Sequence, residues 1–351
     1  MHGLPELRAV GAELLGTAPA QTIAGGSSSL TLMYFTLLFA KLFGLAGAPA
    51  WQSRGTVKII CPVPGYDRHF AICERLGIEM VTVPMNIDGP DMDAVEQLLA
   101  GDESIVGMWN VPKYSNPTGI TYSDAVVKRI AKLGQLAKPG FLVLWDNAYA
   151  VHDIAASSDP LTAIAALAEA AGTEVAQFAS TSKITHAGAG VSFMAGSQQL
   201  IDSVVEQLGI AMIGPDKVNQ LRHVALLKEG GLAKIMAGHR ALLAPRFAAV
   251  EQALTAHFSG STLLRWTRPN GGYFVSVDTL PGVASRVVAL AAAAGVKLTP
   301  AGATFPYNRD PSDSNIRLAP SFPSLTDVEK TMQVFCCCVQ LASVEQQLAN
   351  G

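Results

Sequence analysis

Short apolar runs of strand length alternate with Ala- and Leu-rich helical stretches through the first two thirds of this 351-residue chain. The runs are predominantly apolar, so each is expected to be buried on both faces. Such strands, separated by helices, indicate a mostly parallel α/β sheet. The predicted strands are 57–63, 80–83, 105–110, 141–146, 174–180 and 190–195, and the predicted helices are 28–42, 67–76, 92–99, 123–137, 161–171 and 198–208.

The pattern changes after about residue 234, where extended segments become sparse and helices longer. Together with the chain length, this change predicts two domains. We expect a large α/β domain over residues 1–236 and a smaller α+β domain over 237–351. The smaller domain is predicted to contain helices at 235–257, 282–294 and 325–348 and extended segments at 263–266, 271–277, 297–299 and 316–318.

Composition and charge exclude several classes of protein. The formal net charge of −3 gives no basic face for nucleic acid. The longest apolar stretch, 30–50, is interrupted by Lys41, glycines and a proline, which favours a buried helix over a membrane span. The five cysteines contain no Cys-x-x-Cys pair, so we predict neither a zinc site nor a disulfide framework. With no signal peptide at the start, a cytoplasmic protein with reduced cysteines is expected.

Three polar positions end or follow predicted strands at intervals of about one strand–helix unit: Asn116 in Asn-Pro-Thr-Gly, Asp146, and Lys183. Parallel strands end at a common sheet edge, so these side chains should lie close together. A lysine that forms a Schiff base and a carboxylate that keeps a pyridine nitrogen protonated are what a pyridoxal phosphate (PLP) site needs. Each residue also has an ordinary alternative. Asn116 could belong to a plain turn, Asp146 could cap a helix or form a surface ion pair, and Lys183 could be a solvated surface lysine.

Gly25-Gly-Ser-Ser-Ser29 precedes a predicted helix. Glycine amides, a helix N-terminus and the hydroxyls of Ser27 and Ser28 could bind a phosphate. The alternative is a serine N-cap after a glycine turn. The glycine spacing matches neither a Walker P-loop nor the Gly-x-Gly-x-x-Gly motif.

The remaining candidates could complete a site around a planar ring. Tyr66 could stack on the ring, or be an ordinary turn residue. Tyr149 could reach a ring oxygen, and Ser180 and Ser182 flank Lys183 as phosphate donors. Arg317 suits a carboxylate, with a surface ion pair as the alternative. All seven histidines lack partners at metal-ligand spacing and are interpreted as structural or surface residues, and the absence of Gly-x-Ser-x-Gly disfavours a serine hydrolase.

Asn116-Pro-Thr-Gly119, Asp146-Asn-Ala-Tyr149 and the run from Ser180 to Ser192 together resemble the aspartate aminotransferase superfamily of fold-type I PLP enzymes. They resemble its MocR-type bacterial aspartate aminotransferase subgroup more closely, over nearly the whole chain. The resemblance implies transamination between an amino acid, aspartate or glutamate, and a 2-oxo acid such as 2-oxoglutarate. Another PLP reaction, such as a β-lyase or decarboxylase, and a catalytically silent PLP sensor are the alternatives.

The resemblance also implies roles for individual residues. Family members are homodimers, and Asn219 matches a position that reaches toward the partner's site. Lys183 would hold PLP and move the substrate's α-proton. Around the cofactor ring, Asp146 would bind the pyridine nitrogen, Asn116 and Tyr149 would bind the ring oxygen, and Tyr66 would stack on the ring face. The phosphate would be bound by Ser27, Ser28 and Ser180. The substrate would be bound by Arg317 and Asn116.

Three departures from the family pattern bear on these roles. Most members have a phosphate-binding arginine eight residues after the lysine, where this chain has Val191. The arginine that reads a dicarboxylate side chain would fall near Gly214, and Lys217 and Arg222 are candidate substitutes. Relatives also carry several dozen residues before a segment like Gly3-Leu-Pro5, so weaker PLP retention is expected.

Overall fold

A computed structural model describes residues 1–350, and its larger sheet has eight strands. In spatial order they run β1-β8-β7-β6-β5-β2-β3-β4. The neighbours from β7 across to β3 pair in parallel, whereas β8 pairs antiparallel with both β1 and β7, and β4 antiparallel with β3. In chain order the strands are β1 (Thr22–Ala24), β2 (Lys58–Val63), β3 (Glu79–Asn86), β4 (Gly89–Pro90), β5 (Ile105–Asn110), β6 (Leu142–Asp146), β7 (Glu174–Ser180) and β8 (Ser192–Ala195).

Helices cover both faces of this sheet, as parallel strands require. Alternate residues of β6 join different apolar clusters: Leu142 and Leu144 pack on one face, Val143 and Trp145 on the other. Every residue of β5 and β6 is therefore buried. The helices of this part are α1 (Pro5–Leu15), α2 (Ser29–Leu42), α3 (Asp67–Arg75), α4 (Met92–Gly101), α5 (Asp124–Ile130), α6 (Ile164–Ala171), α7 (Gln198–Ala211) and α8 (Lys217–Lys228).

A second apolar core lies in the C-terminal part of the chain. It joins three helices, α9 (Gly231–Phe258), α10 (Ala284–Ala293) and α11 (Leu325–Asn350), to a small antiparallel sheet. The order of that sheet is β11-β10-β9, with β9 at Leu264–Trp266, β10 at Val275–Thr279 and β11 at Asn315–Leu318. Helix α9 runs without a break through residues 236 and 237, where the boundary between the two domains was expected. The division into two domains stays a prediction.

The predicted α/β class is confirmed, and β5 and β7 coincide with the predicted runs. The helix predicted over 123–137 is wrong beyond Ile130. Gly134 packs against the short segment between α6 and β7, so closely that a Cβ on it would lie 3.0 Å from the Gly172 carbonyl oxygen. Residues Leu133–Gln135 form a 3₁₀ turn instead of continuing the helix. Residues 297–299 form no strand, and the sequence did not predict β1, β4, α1 or α8. Among the described helices, none has the length and apolar character needed to cross a membrane.

Candidate active site

The carboxyl ends of the central parallel strands bring the predicted site residues together. Asp146 ends β6, Lys183 lies in the 3₁₀ turn Thr181–Lys183 directly after β7, and Tyr66 follows β2. The Lys183 Nζ lies 3.3 Å from the Tyr149 hydroxyl and 4.3 Å from the centre of its ring. This is the edge at which doubly wound sheets bind ligands.

Asp146 is a buried carboxylate with one unsatisfied oxygen. The residue is 3% exposed, and its Oδ2 lies 3.1 Å from the His69 Nε2, whereas its Oδ1 has no hydrogen-bond partner. A buried carboxylate oxygen without a partner is costly. An N–H donor on a bound ring would satisfy it, so this aspartate fits a protonated pyridine nitrogen.

His69 is a site residue that the sequence analysis missed. Its ring stacks on Trp109 with centroids 3.9 Å apart, and the edge of Tyr66 lies against it. The indole N–H of Trp109 in turn donates to the Cys73 sulfur. This packing holds the imidazole against Asp146. Tyr66 and His69 are three positions apart, so one helical turn places both on the same side, but this spacing alone does not mark a site residue.

Tyr149 provides a neutral hydroxyl beside the lysine. Burial, and after it the charge of Asp146, raise the pKa of Tyr149 well above its usual range. Burial also raises the pKa of Tyr66 to about 12. Both phenols are therefore protonated at neutral pH, and the Tyr149 hydroxyl can donate a hydrogen bond to a ring oxygen.

Arg317 reaches the site from the small sheet. Its Nη1 donates to the Asp67 carboxylate at 2.9 Å and to the Asn116 Oδ1 at 3.1 Å, and its guanidinium lies over the Phe274 ring. Its Nε is buried and has no partner. The head group is thus fixed on one side, while an unsatisfied donor remains for a carboxylate.

The segment Gly25–Ser28 forms the opposite end of the site. Ser28 stands at the N-cap of α2, but its side chain makes no capping bond, so the simple capping alternative is not realised. The hydroxyls of Ser180 and Ser182 both donate to the Ser27 carbonyl, at 2.9 and 2.6 Å. A cavity of about 90 Å³ adjoins this segment and Ser192, whose buried hydroxyl has no partner.

The loop after Lys183 contains no cation where the family pattern has arginine. Val191 is fully buried in an apolar cluster, and its main-chain N–H donates to the Thr181 hydroxyl at 2.8 Å. Asn219 donates to the Gly190 carbonyl at 2.8 Å, and Arg222 donates to the Asn219 side chain at 2.7 Å. Asn219 and Arg222 therefore lie against this loop within a single chain.

Comparison with known proteins gives a consistent result. A family model described as aspartate amino-transferase matches residues 1–350. A Mycolicibacterium smegmatis protein, described provisionally as an aminotransferase, is 49% identical over 100% of this chain and 82% of its own length. An aspartate aminotransferase of Corynebacterium glutamicum is 45% identical over 98% of this chain and 80% of its own.

Solved structures agree with the sequence comparison. The crystal structure of an aspartate transaminase from Corynebacterium glutamicum superposes with a TM-score of 0.95 at 45% identity, covering 99% of this chain and 82% of that one. An α-aminoadipate aminotransferase of Thermus thermophilus gives a TM-score of 0.81 at 22% identity over 98% of this chain and 83% of that one. The second likeness shows the fold alone.

Proposed function

The chain belongs to the aspartate aminotransferase family and is an aminotransferase, and on that premise we propose that it binds PLP at Lys183 and transfers the amino group of aspartate or glutamate to a 2-oxo acid such as 2-oxoglutarate. The observation that carries the proposal is the buried Asp146 carboxylate, with one unsatisfied oxygen, at the same sheet edge as the Lys183–Tyr149 pair. The choice of aspartate is supported by the name of the Corynebacterium glutamicum relative.

The residues present fit PLP. An amine, a buried unsatisfied carboxylate oxygen and a neutral phenol are the groups that its aldehyde, pyridine nitrogen and ring oxygen call for. When bound, the cofactor supplies an electron sink for the negative charge formed at the substrate's α-carbon. The groups that we propose for holding it are Lys183, Asp146, Tyr149, Asn116 and Tyr66 around the ring, and Ser27, Ser28 and Ser180 at the phosphate.

Each of these side chains has a distinct task in the proposed mechanism. Asp146, oriented by His69, holds a proton on the ring nitrogen. Tyr149 holds the Lys183 amine within hydrogen-bonding distance. The Lys183 Nζ would act as the general base that accepts the substrate's α-proton and as the general acid that later gives a proton back.

Arg317 is proposed to bind the substrate's α-carboxylate. Asp67 and Asn116 already occupy its Nη1, so a carboxylate would approach the unsatisfied Nε side. A preset guanidinium loses less entropy on binding than a free one. Of the candidate side-chain readers, Arg222 is held by Asn219 and Ala189 of the same chain, and Lys217 begins α8.

We also propose that the chain belongs to the MocR-type subgroup and acts as a homodimer. The end of α7, the connection to α8 and the start of α8 carry a strongly exposed apolar set, in which Ile210 is 83%, Ile213 99% and Val218 79% exposed. Contiguous exposed apolar side chains commonly mark an interface. Asn219 lies next to this set, consistent with its proposed approach to the partner's site. Ile213→Asp should shift the mass measured by light scattering toward that of a monomer, and an unchanged mass would contradict the proposed interface.

A cytoplasmic location is proposed from the cysteines. All five are free, and four of them are buried. Unpaired thiols are typical of reducing compartments. Cell fractionation would test this location directly.

Absorbance spectroscopy tests the proposed site. Protein mixed with PLP should show the visible band of lysine-bound cofactor, which aspartate removes and 2-oxoglutarate restores. Lys183→Ala should abolish that band. It should also lower turnover by about 10²–10⁴-fold, the usual contribution of a general acid–base group. Lys132→Ala, at an exposed lysine, is the control. Full turnover in Lys183→Ala would refute the assignment, and release of ammonia or CO₂ would indicate another PLP reaction.

A further inference from the structure

The main-chain carbonyl of Lys183 accepts hydrogen bonds from two side chains. One of them follows β6 of the larger sheet, and the other precedes β10 of the small sheet. The His152 Nε2 lies 3.3 Å from this oxygen, and the Tyr273 hydroxyl donates to it at 2.9 Å. We propose that His152 and Tyr273 are positioning residues for Lys183 that fix its backbone while its side chain moves. The proposal rests on Lys183 being the reactive amine of the proposed function.

His152 can act only as a neutral donor here. It is 2% exposed, and burial, followed by the nearby Lys183 charge, lowers the pKa of its imidazole to about 3. Its Nδ1 is buried without a partner. A proton on Nδ1 would leave a buried, unsatisfied N–H, so the tautomer with the proton on Nε2 is favoured, and that proton points at the Lys183 carbonyl.

Tyr273 brings the second donor from the strap formed by residues 270–274, which leads into β10. Its ring lies edge-on against both Tyr149, at 5.6 Å, and His152, at 5.3 Å between centroids. Burial raises the pKa of Tyr273 to about 12, so its hydroxyl stays protonated and can donate. The three rings thus form one packed group beneath the lysine.

Two glycines allow the strap to approach this closely. A Cβ at Gly271 would lie 2.2 Å from the Tyr114 ring and 2.5 Å from the His152 carbonyl oxygen, and Gly272 has a φ of +80°. The Gly272 N–H donates to that same His152 carbonyl at 2.9 Å, and the N–H groups of Ile154 and Ala155 donate to the Asn270 carbonyl. The strap therefore holds the backbone of His152 as well as reaching Lys183.

This arrangement matters because the lysine side chain must detach from the cofactor and still return to the same place. The distance from Nζ to Tyr149 and to the substrate's α-carbon depends on where the 3₁₀ turn holds the backbone. Misplacement of a reacting group by about 1 Å can cost about 10²-fold in rate. Two donors on the carbonyl of that one residue limit such movement without touching the reacting atoms.

Hydrogen–deuterium exchange without cofactor tests the positioning directly. Tyr273→Phe keeps the ring but removes the donor, and exchange in residues 181–190 should rise by roughly 2- to 10-fold, the factor expected for one neutral hydrogen bond. Tyr122→Phe is the matched control, because that tyrosine is also buried but its hydroxyl interacts with the main chain of Val111. It should leave exchange in 181–190 unchanged.

Kinetics of the loaded protein supply the second readout. Tyr273→Phe and His152→Phe should lower kcat by about 10-fold or more while KM for the amino acid changes by less than about twofold, since only the lysine is misplaced. His152→Gln, which keeps an N–H near the Nε2 position, should recover most of the loss. A merely structural role would lower thermal stability in these variants without separating kcat from KM.

The outcomes separate this inference from the proposed function. Unchanged exchange in 181–190 for Tyr273→Phe overturns the positioning role even if the wild-type protein is a fully active aminotransferase. Equal kcat losses in His152→Gln and His152→Phe overturn it as well, because the donor would then be irrelevant. If the wild type forms no Lys183-dependent visible band, the proposed cofactor site fails, whereas the exchange experiment still decides whether Tyr273 holds this turn.

Discussion

The end of the candidate site around Asp146 and the end around Ser27 are built in different ways. At the first, which we call the carboxylate end, a full negative charge is buried, supported by His69 and left with one unsatisfied oxygen. At the second, the hydroxyl end, Ser180 and Ser182 donate to the Ser27 carbonyl, and the position at which the family resemblance predicts arginine is the buried, apolar Val191. The carboxylate end thus keeps a buried acceptor open for a ligand, whereas at the hydroxyl end Ser180 and Ser182 are already bonded to the chain itself.

This difference indicates that the carboxylate end mainly supports the reaction and the hydroxyl end mainly supports binding of the cofactor. A preset buried charge interacts strongly with its ligand because nothing must rearrange. Hydroxyls that already bond to a carbonyl must turn toward an incoming anion, and each contributes only the small net value of an exchanged hydrogen bond. We therefore expect single substitutions at the carboxylate end to impair the reaction, and those at the hydroxyl end to weaken cofactor retention mildly.

Asp146→Asn should have the largest effect. The change removes the charge that holds a proton on the ring nitrogen, so kcat should fall by roughly 10²–10³-fold, as when one preorganised electrostatic group is lost. Steady-state kinetics at saturating PLP would measure it, with the exposed Asp202→Asn as control. Near-normal kcat in Asp146→Asn would mean that the carboxylate does not face the ring.

Arg317→Lys should have the next largest effect, on substrate and not on cofactor. Lysine keeps a charge but cannot contact Asp67, Asn116 and a carboxylate in the same plane. Loss of a charged hydrogen bond predicts a fall in kcat/KM of about 10- to 100-fold, mostly through KM. Arg265→Lys, at an exposed position on β9, is the matched control, and an unaltered KM in Arg317→Lys would place the α-carboxylate elsewhere.

Ser180→Ala probes the hydroxyl end. The dissociation constant of PLP should rise by only roughly 2- to 10-fold, the worth of one neutral hydrogen bond, with kcat at saturating PLP retained. Equilibrium dialysis or fluorescence titration would measure it. Ser53→Ala removes a comparable bond between a serine hydroxyl and a main-chain carbonyl at an exposed site and should change nothing. A loss of affinity as large as that expected for a buried charge would erase the contrast between the two ends.

Sequence alone predicted the carboxylate end better than the details around it. Apolar strands buried on both faces are a strong signal, and the residues that follow them must meet at one edge, so Asp146 and Lys183 could be anticipated. His69 could not, because a single histidine on a helix looks the same whether it is solvated or bonded to an aspartate 77 residues away.

The fold elements that were missed have physical explanations. Strand β1 has three residues and β4 only two, too few to show a period. Helix α8 exposes Val218 and Leu221, so its apolar residues do not mark one buried face. The strand predicted from 271 begins at Val275, because Gly271 and Gly272 are used for close approach to Tyr114 and His152. Contacts between distant segments decided the last of these cases.

The last prediction concerns stability in acid, and it bears on the same comparison, because His152 lies buried against Tyr149 at the carboxylate end. The pKa of His152 is lowered from 6.5 to about 3 in the folded protein, so between those values the unfolded chain binds the extra proton. The free energy of unfolding therefore rises with pH through this window and is lost on acidification. His152→Gln should reduce that slope by up to one proton, about 1.4 kcal/mol per pH unit.

Urea unfolding of the wild type and His152→Gln between about pH 4.5 and 7.5 would measure the slopes, which should coincide at the upper limit, where the imidazole is neutral in both states. Protection against hydrogen exchange, corrected for the slower intrinsic exchange of amides in acid, should also fall in residues 147–155 before it does in 25–30. Identical slopes at every pH would mean that His152 is accessible to protons in the folded protein. The carboxylate end would then be less sealed than its burial indicates, and the contrast with the hydroxyl end would rest on charge alone.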